Sequence, residues 1–420
     1  FQVNPKTVVR GGYGIVYIPT FGPGGTSTGA GFSVTTPMTT SLDGGLTPHH
    51  TIADPFPSQN PIQRPTGNTL GAMTAVGSAA GGQIRHVYRG YSQQWNLTLQ
   101  HEPWNNWLFE AAWVANHGTG LILNSRPLNV TSDADLANYG SRLVDTVPNP
   151  FYGILTTGSL STSTITRRQL LMPFPQYTSI GGGNCYLGNS IYHALAVKVE
   201  KRFSRGFSVL LGYTASKTID DLQATGRPGA VAGTTIQNWN NLRGERAKSY
   251  QDLPQRLVLT TLWEVPFKPA NRALKQALGG WQLNALTTLE SGRPIALSAP
   301  ITGGGNRPNA VAKLEQPTMD RWFNTGAFAL PPSFTYGDVS RTLPDVHSDG
   351  LFNIDLSLFK TFALQERWQL QFRAEAFNLT NTPTFDTPGR ALNTATLGVV
   401  TATAFTPKPR EAQFALVLRF

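Results

Sequence analysis

The sequence predicts an all-β fold, an antiparallel transmembrane β-barrel of which about ten strands are present here. Three observations predict it. Turn-forming residues are abundant, with 42 glycines and 30 prolines in 420 residues, while only 14% of the residues are charged. Several segments of about ten residues alternate apolar with polar side chains, which is the pattern of a strand with one apolar face. Short and long connections between these segments alternate along the chain.

The last segment, Arg410–Phe420, shows the alternation most clearly. Successive side chains of a strand point to opposite faces, so this one has an apolar face ending on the aromatic C-terminus. It resembles the closing strand of outer-membrane barrels, the segment that the barrel-assembly machinery recognises. The predicted lipid face and assembly signal are Phe414, Leu416, Leu418 and Phe420. The alternative, an edge strand of a soluble sandwich, is disfavoured because an exposed uncharged edge invites aggregation.

The other predicted strands follow the same period of two. In chain order they are Thr7–Ile18, then the pairs Tyr91–Glu102 with Trp107–Ala115, Ser190–Phe203 with Phe207–Lys217, Leu253–Glu264 with Gly279–Glu290, and Leu351–Lys360 with Arg367–Leu379. In each pair the apolar side chains share one face and the charges are expected on the other. Glycines in the first strand let a barrel wall bend.

The connections have two lengths. The short ones are Pro103–Asn106, Ser204–Gly206 and Thr361–Glu366, while Val265–Leu278 has room for one or two helical turns; the long ones are 19–90, 116–189, 218–252, 291–350 and 380–409. Barrels of the outer membrane have short periplasmic turns and long extracellular loops. We therefore expect a periplasmic C-terminus. Tryptophans near the short turns fit an aromatic girdle, although core tryptophans would show the same spacing: Trp263, Trp281 and Trp368.

Several classes of function are excluded by composition. No run of 18 apolar residues exists, which excludes helical membrane spans. The net charge of +10 comes from scattered residues without a basic run, so no nucleic-acid partner is expected. The single cysteine, Cys185, is predicted to be a loop residue. The glycine-rich segment near Gly22 lacks the Lys-Ser/Thr ending of a phosphate loop and is interpreted as a surface loop.

No motif carries enzyme chemistry. The seven histidines have no metal-ligand spacing, and only His49 and His50 are adjacent. Asp220-Asp221 and Asp349-Gly350 are interpreted as solvated turn residues rather than cation ligands. We find no nucleophile motif and no pair of catalytic carboxylates. The sequence therefore predicts no enzyme, no metal site and no cofactor.

Four segments resemble the C-terminal barrel of Oar-like TonB-dependent receptors. They are Y-S-Q-Q-W-N-L-T-L-Q-H-E (Tyr91–Glu102), Y-H-A-L-A-V-K-V-E-K-R-F-S-R-G-F-S-V-L-L-G-Y-T-A-S-K (Tyr192–Lys217), W-F-N-T-G-A-F (Trp322–Phe328) and L-Q-F-R-A-E-A-F-N-L-T-N-T-P-T-F (Leu370–Phe385). Two sites depart from the family pattern. Gln255 stands where many relatives have His in Asp-x-Pro-His-Arg, and Leu343-Pro344-Asp345 replaces an Arg-Gly-Pro-like loop.

The resemblance implies parts that this chain does not show. Relatives carry a signal peptide, often a regulatory-like sandwich, and a plug inside a barrel of about 22 strands. Residues 1–420 are expected to be the C-terminal part of such a barrel. The implied partners are outer-membrane lipid, a TonB-type energy-coupling protein acting through the missing N-terminal part, and a large ligand such as a carbohydrate, peptide or metal chelate. The alternatives are a passive porin or adhesion barrel, and a secreted carbohydrate-binding sandwich.

Ligand contacts are predicted in the long loops 117–189, 218–252 and 291–350, because irregular segments on a rigid frame are where binding residues concentrate. One segment, N-W-N-N-L-R-G-E-R-A-K-S-Y, combines aromatic and basic residues. The candidates in it are Trp239, Arg243, Arg246 and Tyr250. The same composition would also serve a loop that only closes the mouth of a barrel.

Overall fold

The computed structural model describes residues 1–18, 31–58, 61–82, 84, 88–123, 126–156, 158–222, 235–267, 270–310, 318–364 and 368–420, with the backbone only at positions 272, 273 and 275. The glycine-rich segment near Gly22 lies outside these residues, and so does His86. The chain divides into two compact units. The first contains Phe1–Pro19, Tyr88–Ile122 and Tyr186–Phe420, and the second contains Thr20–Val87 and Leu123–Cys185.

A twelve-stranded sheet organises the first unit. Eleven strands pair with their neighbours in sequence order, as an up-and-down meander. They are β1 (Gln2–Asn4), β2 (Thr7–Tyr17), β3 (Tyr91–His101), β4 (Trp107–Leu123), β5 (Cys185–Ser204), β6 (Phe207–Asp220), β7 (Gln255–Glu264), β8 (Trp281–Glu290), β9 (Leu351–Ala363), β10 (Gln369–Phe377) and β11 (Glu411–Arg419). The twelfth, Ala247–Lys248, pairs with β6. The predicted antiparallel β fold is confirmed.

Four strands extend three or more residues beyond their predicted ends. Two of them, β6 and β9, each end three residues later than predicted. The strand β4 continues to Leu123, and β5 begins at Cys185, five residues before the predicted start. Cys185 is therefore a buried strand residue, and its interpretation as a loop residue was wrong. The cause is burial on both faces at the start of β5, where Cys185 and Tyr186 are both buried. Alternation needs one buried and one exposed face, so the signal vanished there.

Helices are few and short. They are α1 (Asp133–Tyr139), α2 (Arg167–Leu171) and α3 (Arg272–Leu278), with single 3-10 turns at Gly71–Met73, Gly140–Val144, Leu242–Glu245 and Thr325–Ala327. The helix α3 lies between β7 and β8, which confirms the prediction of one or two helical turns there. In the described part of the chain no helix is long and apolar enough to cross a membrane.

The second unit is built from two long connections. Ala79–Gly81 pairs in parallel with Ser179–Gly181, and Thr146–Pro148 pairs with Thr164–Thr166. Its buried apolar residues are Leu123, Leu136, Leu143, Leu160, Ile165 and Cys185. The buried amide of Asn149 donates to the carbonyls of Leu160 (2.8 Å) and Thr162 (2.6 Å), which satisfies backbone groups that irregular structure leaves unpaired.

Strand register keeps the two faces of the large sheet distinct. On one face Leu259 lies between Leu211 and Thr287, and the neighbouring β9 and β10 continue it with apolar pairs. On the opposite face Glu375 lies between Ser357 and Gln413 and accepts a hydrogen bond from the amide of Gln413 (2.5 Å). The apolar side chains of the closing strand are exposed to 74% at Phe414 and 69% at Leu416.

Short turns join the strands at one end of the sheet. Between β5 and β6 both turn residues, Arg205 and Gly206, have positive φ angles of 53° and 76°, the geometry of a two-residue type I′ hairpin. A Cβ at Gly206 would lie 2.9 Å from the carbonyl oxygen of Glu264. Glycine is therefore needed both for the turn and for the approach of the neighbouring strand.

The expectation that charges avoid the apolar face was wrong at two positions near these turns. Lys201 lies opposite Val209, and Lys360 lies opposite Trp281 and Phe372. The Lys201 ammonium donates to the carbonyls of Ser204 (3.0 Å) and Phe207 (2.7 Å), and that of Lys360 donates to the Gly279 carbonyl. Long side chains can keep their charge at the end of an apolar face in this way.

We predict that Leu416→Arg blocks stable insertion of the full-length protein, because a cation on the lipid face of a barrel near the bilayer midplane costs about 2–4 kcal/mol. Heat-modifiable gel mobility measures folding of the barrel. The matched control is Gln413→Arg, which adds the same charge to the same strand on the opposite face, where Glu375 is opposite. Equal folding of both variants would show that the apolar face of β11 does not contact lipid.

Candidate functional site in the loop cluster

The buried apolar cluster of the first unit lies in its long loops, while the strands contribute separate buried residues such as Leu108 and Ala115. Its members share almost complete burial and come from the segment between β8 and β9 and from the one between β10 and β11: Ile295, Leu297, Ala299, Phe323, Ala327, Phe328, Val339, Leu343, Val346 and Leu392. We call this packed region the loop cluster. A sheet with one exposed apolar face and one polar face buries little apolar surface of its own, so the loops supply a separate core.

The segment W-F-N-T-G-A-F contributes Phe323, Ala327 and Phe328 to the loop cluster. Phe323 is fully buried, and its ring meets that of Phe328 edge to face with centroids 5.9 Å apart. The indole of Trp322 donates to the carbonyl of His347 (2.7 Å). The side chain of Asn324 accepts from the backbone N–H of Gly326 (3.1 Å) and so caps the 3-10 turn between the two phenylalanines. The motif therefore has a packing role.

Two buried ion pairs join the loop cluster to the 218–252 loop. Arg307 pairs with Glu245, and both side chains are 1% exposed. Arg341 pairs with Asp220, at 0% and 5% exposure. The guanidinium of Arg341 also donates to the carbonyls of Leu222 (2.6 Å) and Glu245 (3.0 Å). Arginine suits such sites because its five N–H donors can serve several acceptors at once.

Backbone groups strengthen this connection. Lys248 donates to the carbonyl of Pro344 (2.5 Å), and the Thr342 hydroxyl donates to the carbonyl of Lys248 (2.6 Å). The Leu343-Pro344-Asp345 departure is thus an inter-loop contact. In the Asp-Leu-Pro-Gln-Arg segment, the buried Asp252 carboxylate accepts from the N–H of Thr218 (2.6 Å). The 218–252 and 291–350 loops therefore form one braced structure.

The predicted ligand residues lie in the 218–252 loop but are not among its buried ion-paired residues. Arg243 and Arg246 are exposed, while Trp239 and Tyr250 are half-buried. The first two flank Glu245 in the 3-10 turn Leu242–Glu245, whose N-cap is Asn241. Since the Glu245 carboxylate pairs with the buried Arg307, the segment that carries the Arg243 and Arg246 side chains is held in place.

Arg246 lines a narrow cleft with His117, Asn189 and Asp221. The cleft volume of about 20 Å³ holds roughly one water molecule. The Asp221 carboxylate is already occupied, because it accepts from the backbone N–H (2.5 Å) and the side-chain amide (3.1 Å) of Asn189. A large ligand would have to bind above this cleft, on the exposed side of the turn.

Two of the acidic positions were misread as solvated turn residues. Asp220 is 5% exposed and pairs with Arg341. Asp349 accepts from the N–H groups of Gly350 and Phe385, both at 2.9 Å, and so holds two loop segments together. The braces Glu245, Arg307 and Arg341 were not predicted at all. Arg307 and Glu245 are 62 residues apart in sequence, and Arg341 and Asp220 are 121 residues apart, so no local sequence pattern indicates these pairs.

Titratable groups of the cluster include one perturbed histidine. Burial lowers the pKa of the His347 imidazole, and the positive charge of Lys248 lowers it further. His49 and His50 of the second unit have ring centroids 4.2 Å apart. In the ranges that the structure describes, no group of three or more His, Cys, Asp or Glu side chains could hold a metal ion.

The family of the chain follows from its sequence profile. The family model described as "Outer membrane beta barrel domain" matches residues 1–413. The chain belongs to this family, in agreement with the antiparallel meander and its exposed apolar face. It is an outer-membrane protein. No curated protein sequence matches it.

Solved structures give weaker likenesses. The ferric-catecholate import receptor Fiu from Escherichia coli K12 is 10% identical with a TM-score of 0.39, over 99% of this chain and 33% of that one. The outer membrane transporter YddB from Escherichia coli is 10% identical with a TM-score of 0.38, over 81% and 34%. The pyoverdine receptor FpvA from Pseudomonas aeruginosa is 11% identical with a TM-score of 0.35, over 80% and 30%. The chain spans about one third of each.

We predict that Glu245→Ala loosens the loop cluster without preventing barrel assembly. It leaves Arg307 as a buried charge without its partner, which costs about 3–5 kcal/mol. Hydrogen-exchange protection at 295–310 and 323–346 of the full-length protein measures the effect. The exposed neighbour Arg243→Ala is the control. A double variant, Glu245→Met with Arg307→Met, should recover most of the protection; if Glu245→Ala leaves protection unchanged, the pair does not brace the loops.

We also predict that acidification weakens the loop cluster through His347. A folded-state pKa below the unfolded value of about 6.5 means that the unfolded form binds the proton more readily. The stability contribution is therefore present above pH 6.5 and is lost as the pH falls toward the lowered pKa. Protection factors at 318–347, compared between pH 7.5 and pH 5, should fall in the wild type and fall less in His347→Gln. The control His49→Gln should retain the wild-type pH dependence.

Proposed function

We propose that this chain is the C-terminal part of the barrel of an Oar-like, TonB-dependent outer-membrane receptor that imports or exports a large ligand, and that it is not an enzyme. The observation that carries the proposal is an open sheet. Twelve strands already exceed the eight whose interior side chains can fill, yet within the described residues the edges β1 and β11 do not pair with each other. The completed barrel would then be wide enough to need a plug or to form a pore.

The polar face of the sheet supports a wet or plug-filled interior. Salt bridges run along it between Lys198 and Glu200 (2.7 Å) and between Arg256 and Glu290 (2.7 Å). These side chains are partly exposed in the open sheet, as lumen-facing groups would be. Polar interiors are typical of wide outer-membrane barrels. A plug domain and its coupling segment would lie N-terminal to residue 1.

The loop cluster supports ligand capture. Binding is cheaper when the recognising groups are already held in place, since less conformational entropy is lost. Here the exposed guanidinium groups of Arg243 and Arg246 sit on a turn whose buried Glu245 is fixed, with Trp239 and Tyr250 nearby in sequence. This combination suits a polar ligand with anionic or hydrogen-bond-accepting groups. The ligand, outer-membrane lipid, the barrel-assembly machinery and a TonB-type protein are the proposed partners.

The proposed orientation follows from the two kinds of connection. Turns such as Arg205-Gly206 would face the periplasm together with the C-terminus, and the loop cluster would face outward. The second candidate function, a passive porin or adhesion barrel without energy coupling, would use the same sheet. It differs in the lumen, which would be permanently open to ions.

Conductance of the full-length protein in planar lipid bilayers distinguishes the two candidates. A plugged receptor should give no steady single-channel conductance at moderate voltage, and should conduct after the domain N-terminal to residue 1 is deleted or loosened by urea. A known general porin serves as the positive control. Stable open channels from the intact, natively purified protein would contradict the proposed receptor and favour the porin.

A further inference from the structure

Two basic side chains lie on the apolar face at its loop end. Lys217 of β6 is directly opposite His193 of β5 in the antiparallel register, and both side chains are exposed. Within the β5–β6 pair, their neighbours on this face are Ala215, Ile219, Leu195 and Ile191, none of which is acidic. Where this face lies against lipid, the Lys217 ammonium would need a polar or anionic partner from outside the chain.

The lysines at the other end of the same face show how unusual this is. The ammonium groups of Lys201 and Lys360 fold back onto turn carbonyls and lie over aromatic rings, 5.3 Å from the Phe207 centroid and 5.0 Å from that of Phe362. In the described part of the chain the Lys217 ammonium has no such acceptor. The lysines at the turn end thus have hydrogen-bond acceptors within the chain, whereas Lys217 at the loop end has none among the described residues.

Aromatic rings frame the basic pair. The His193 imidazole stacks on the Trp113 indole, with centroids 6.0 Å apart and planes 3° from parallel, and the Trp95 ring meets it edge-on at 6.2 Å. Trp113 is 44% exposed. Tryptophan is enriched where apolar acyl chains meet polar headgroups. The stacking also fixes the imidazole, so that it can donate without a large loss of side-chain entropy.

The depth of the pair agrees with a headgroup position. Lys217 is ten residues after Phe207, which starts β6 at the turn end. A tilted transmembrane strand needs about 9–11 residues to cross the hydrocarbon core. If the turn end lies at one boundary of the bilayer, Lys217 and His193 therefore lie at the opposite boundary.

We propose that Lys217, His193 and Trp113 form a binding site for a phosphate of the phosphorylated glycolipid of the outer leaflet, lipid A. The ammonium and the imidazole donate to phosphate oxygens, and the indole packs against the sugar and the first acyl carbons. Charge complementarity selects an anionic headgroup, and the apolar strands below select a lipid. The choice of leaflet rests on the orientation proposed above and does not depend on energy coupling.

The test is native mass spectrometry of the detergent-solubilised full-length protein with added bisphosphorylated lipid A. Wild type should retain lipid A, and the variant Lys217→Gln with His193→Gln should lose about tenfold in affinity. Lys198→Gln, on the same strand as His193 but on the polar face, is the matched control and should bind as the wild type does. Lipid A without its phosphates should bind the wild type as weakly as it binds the double variant. Heat-modifiable mobility checks that each variant folds.

Three outcomes would overturn the site. Equal binding by the double variant would remove these residues from lipid recognition. Complete displacement by millimolar inorganic phosphate would mean a simple anion site. Preferential, variant-sensitive retention of phosphatidylethanolamine would assign a phospholipid and contradict the proposed leaflet. None of these results alters the conductance measurement, so failure of this site and failure of the receptor proposal can be told apart.

Discussion

The structure depends on the hydrogen-bond ladder between consecutive antiparallel strands. Inside a bilayer no water is available to unpaired N–H and C=O groups, so a spanning strand must find its partners on both sides. The meander from β1 to β11 meets this need with neighbours in sequence. Short turns such as Arg205-Gly206 suffice on one side, because antiparallel neighbours need only two residues to reverse direction. The connections on the other side are free to be long.

The long connections take over the role that a core has in a soluble protein. Apolar residues of the sheet face lipid and bury little against other protein groups, whereas Phe323, Leu297 and Leu343 pack in the loops with almost no exposure. Buried ion pairs then fix these loops to one another. Such pairs are costly to desolvate, and their value is in specificity: Arg341 is satisfied only when Asp220 and the carbonyls of Leu222 and Glu245 converge. The result is a rigid frame that presents exposed arginines.

The charges on the apolar face complete this account of the membrane boundary. The ammonium groups of Lys201 and Lys360 are solvated by turn carbonyls and aromatic rings of their own chain. Lys217 at the other end has no such partners in the described residues and faces the stacked His193 and Trp113. The lysine ammonium groups at the two ends of the sheet therefore have different surroundings.

The sequence by itself determined the strands and their faces. A period of two reports one exposed and one shielded side. It located ten strands, with the end of β4 placed eight residues too early and the start of β5 five residues too late, together with the apolar set Phe414, Leu416, Leu418 and Phe420. It failed where both faces are buried, at Cys185. Only the tertiary structure decided the loops. Packing of W-F-N-T-G-A-F, burial of Asp220 and the pairing of Glu245 with Arg307 join residues far apart in the chain, and such contacts leave no local periodicity because they depend on where the sheet delivers each loop.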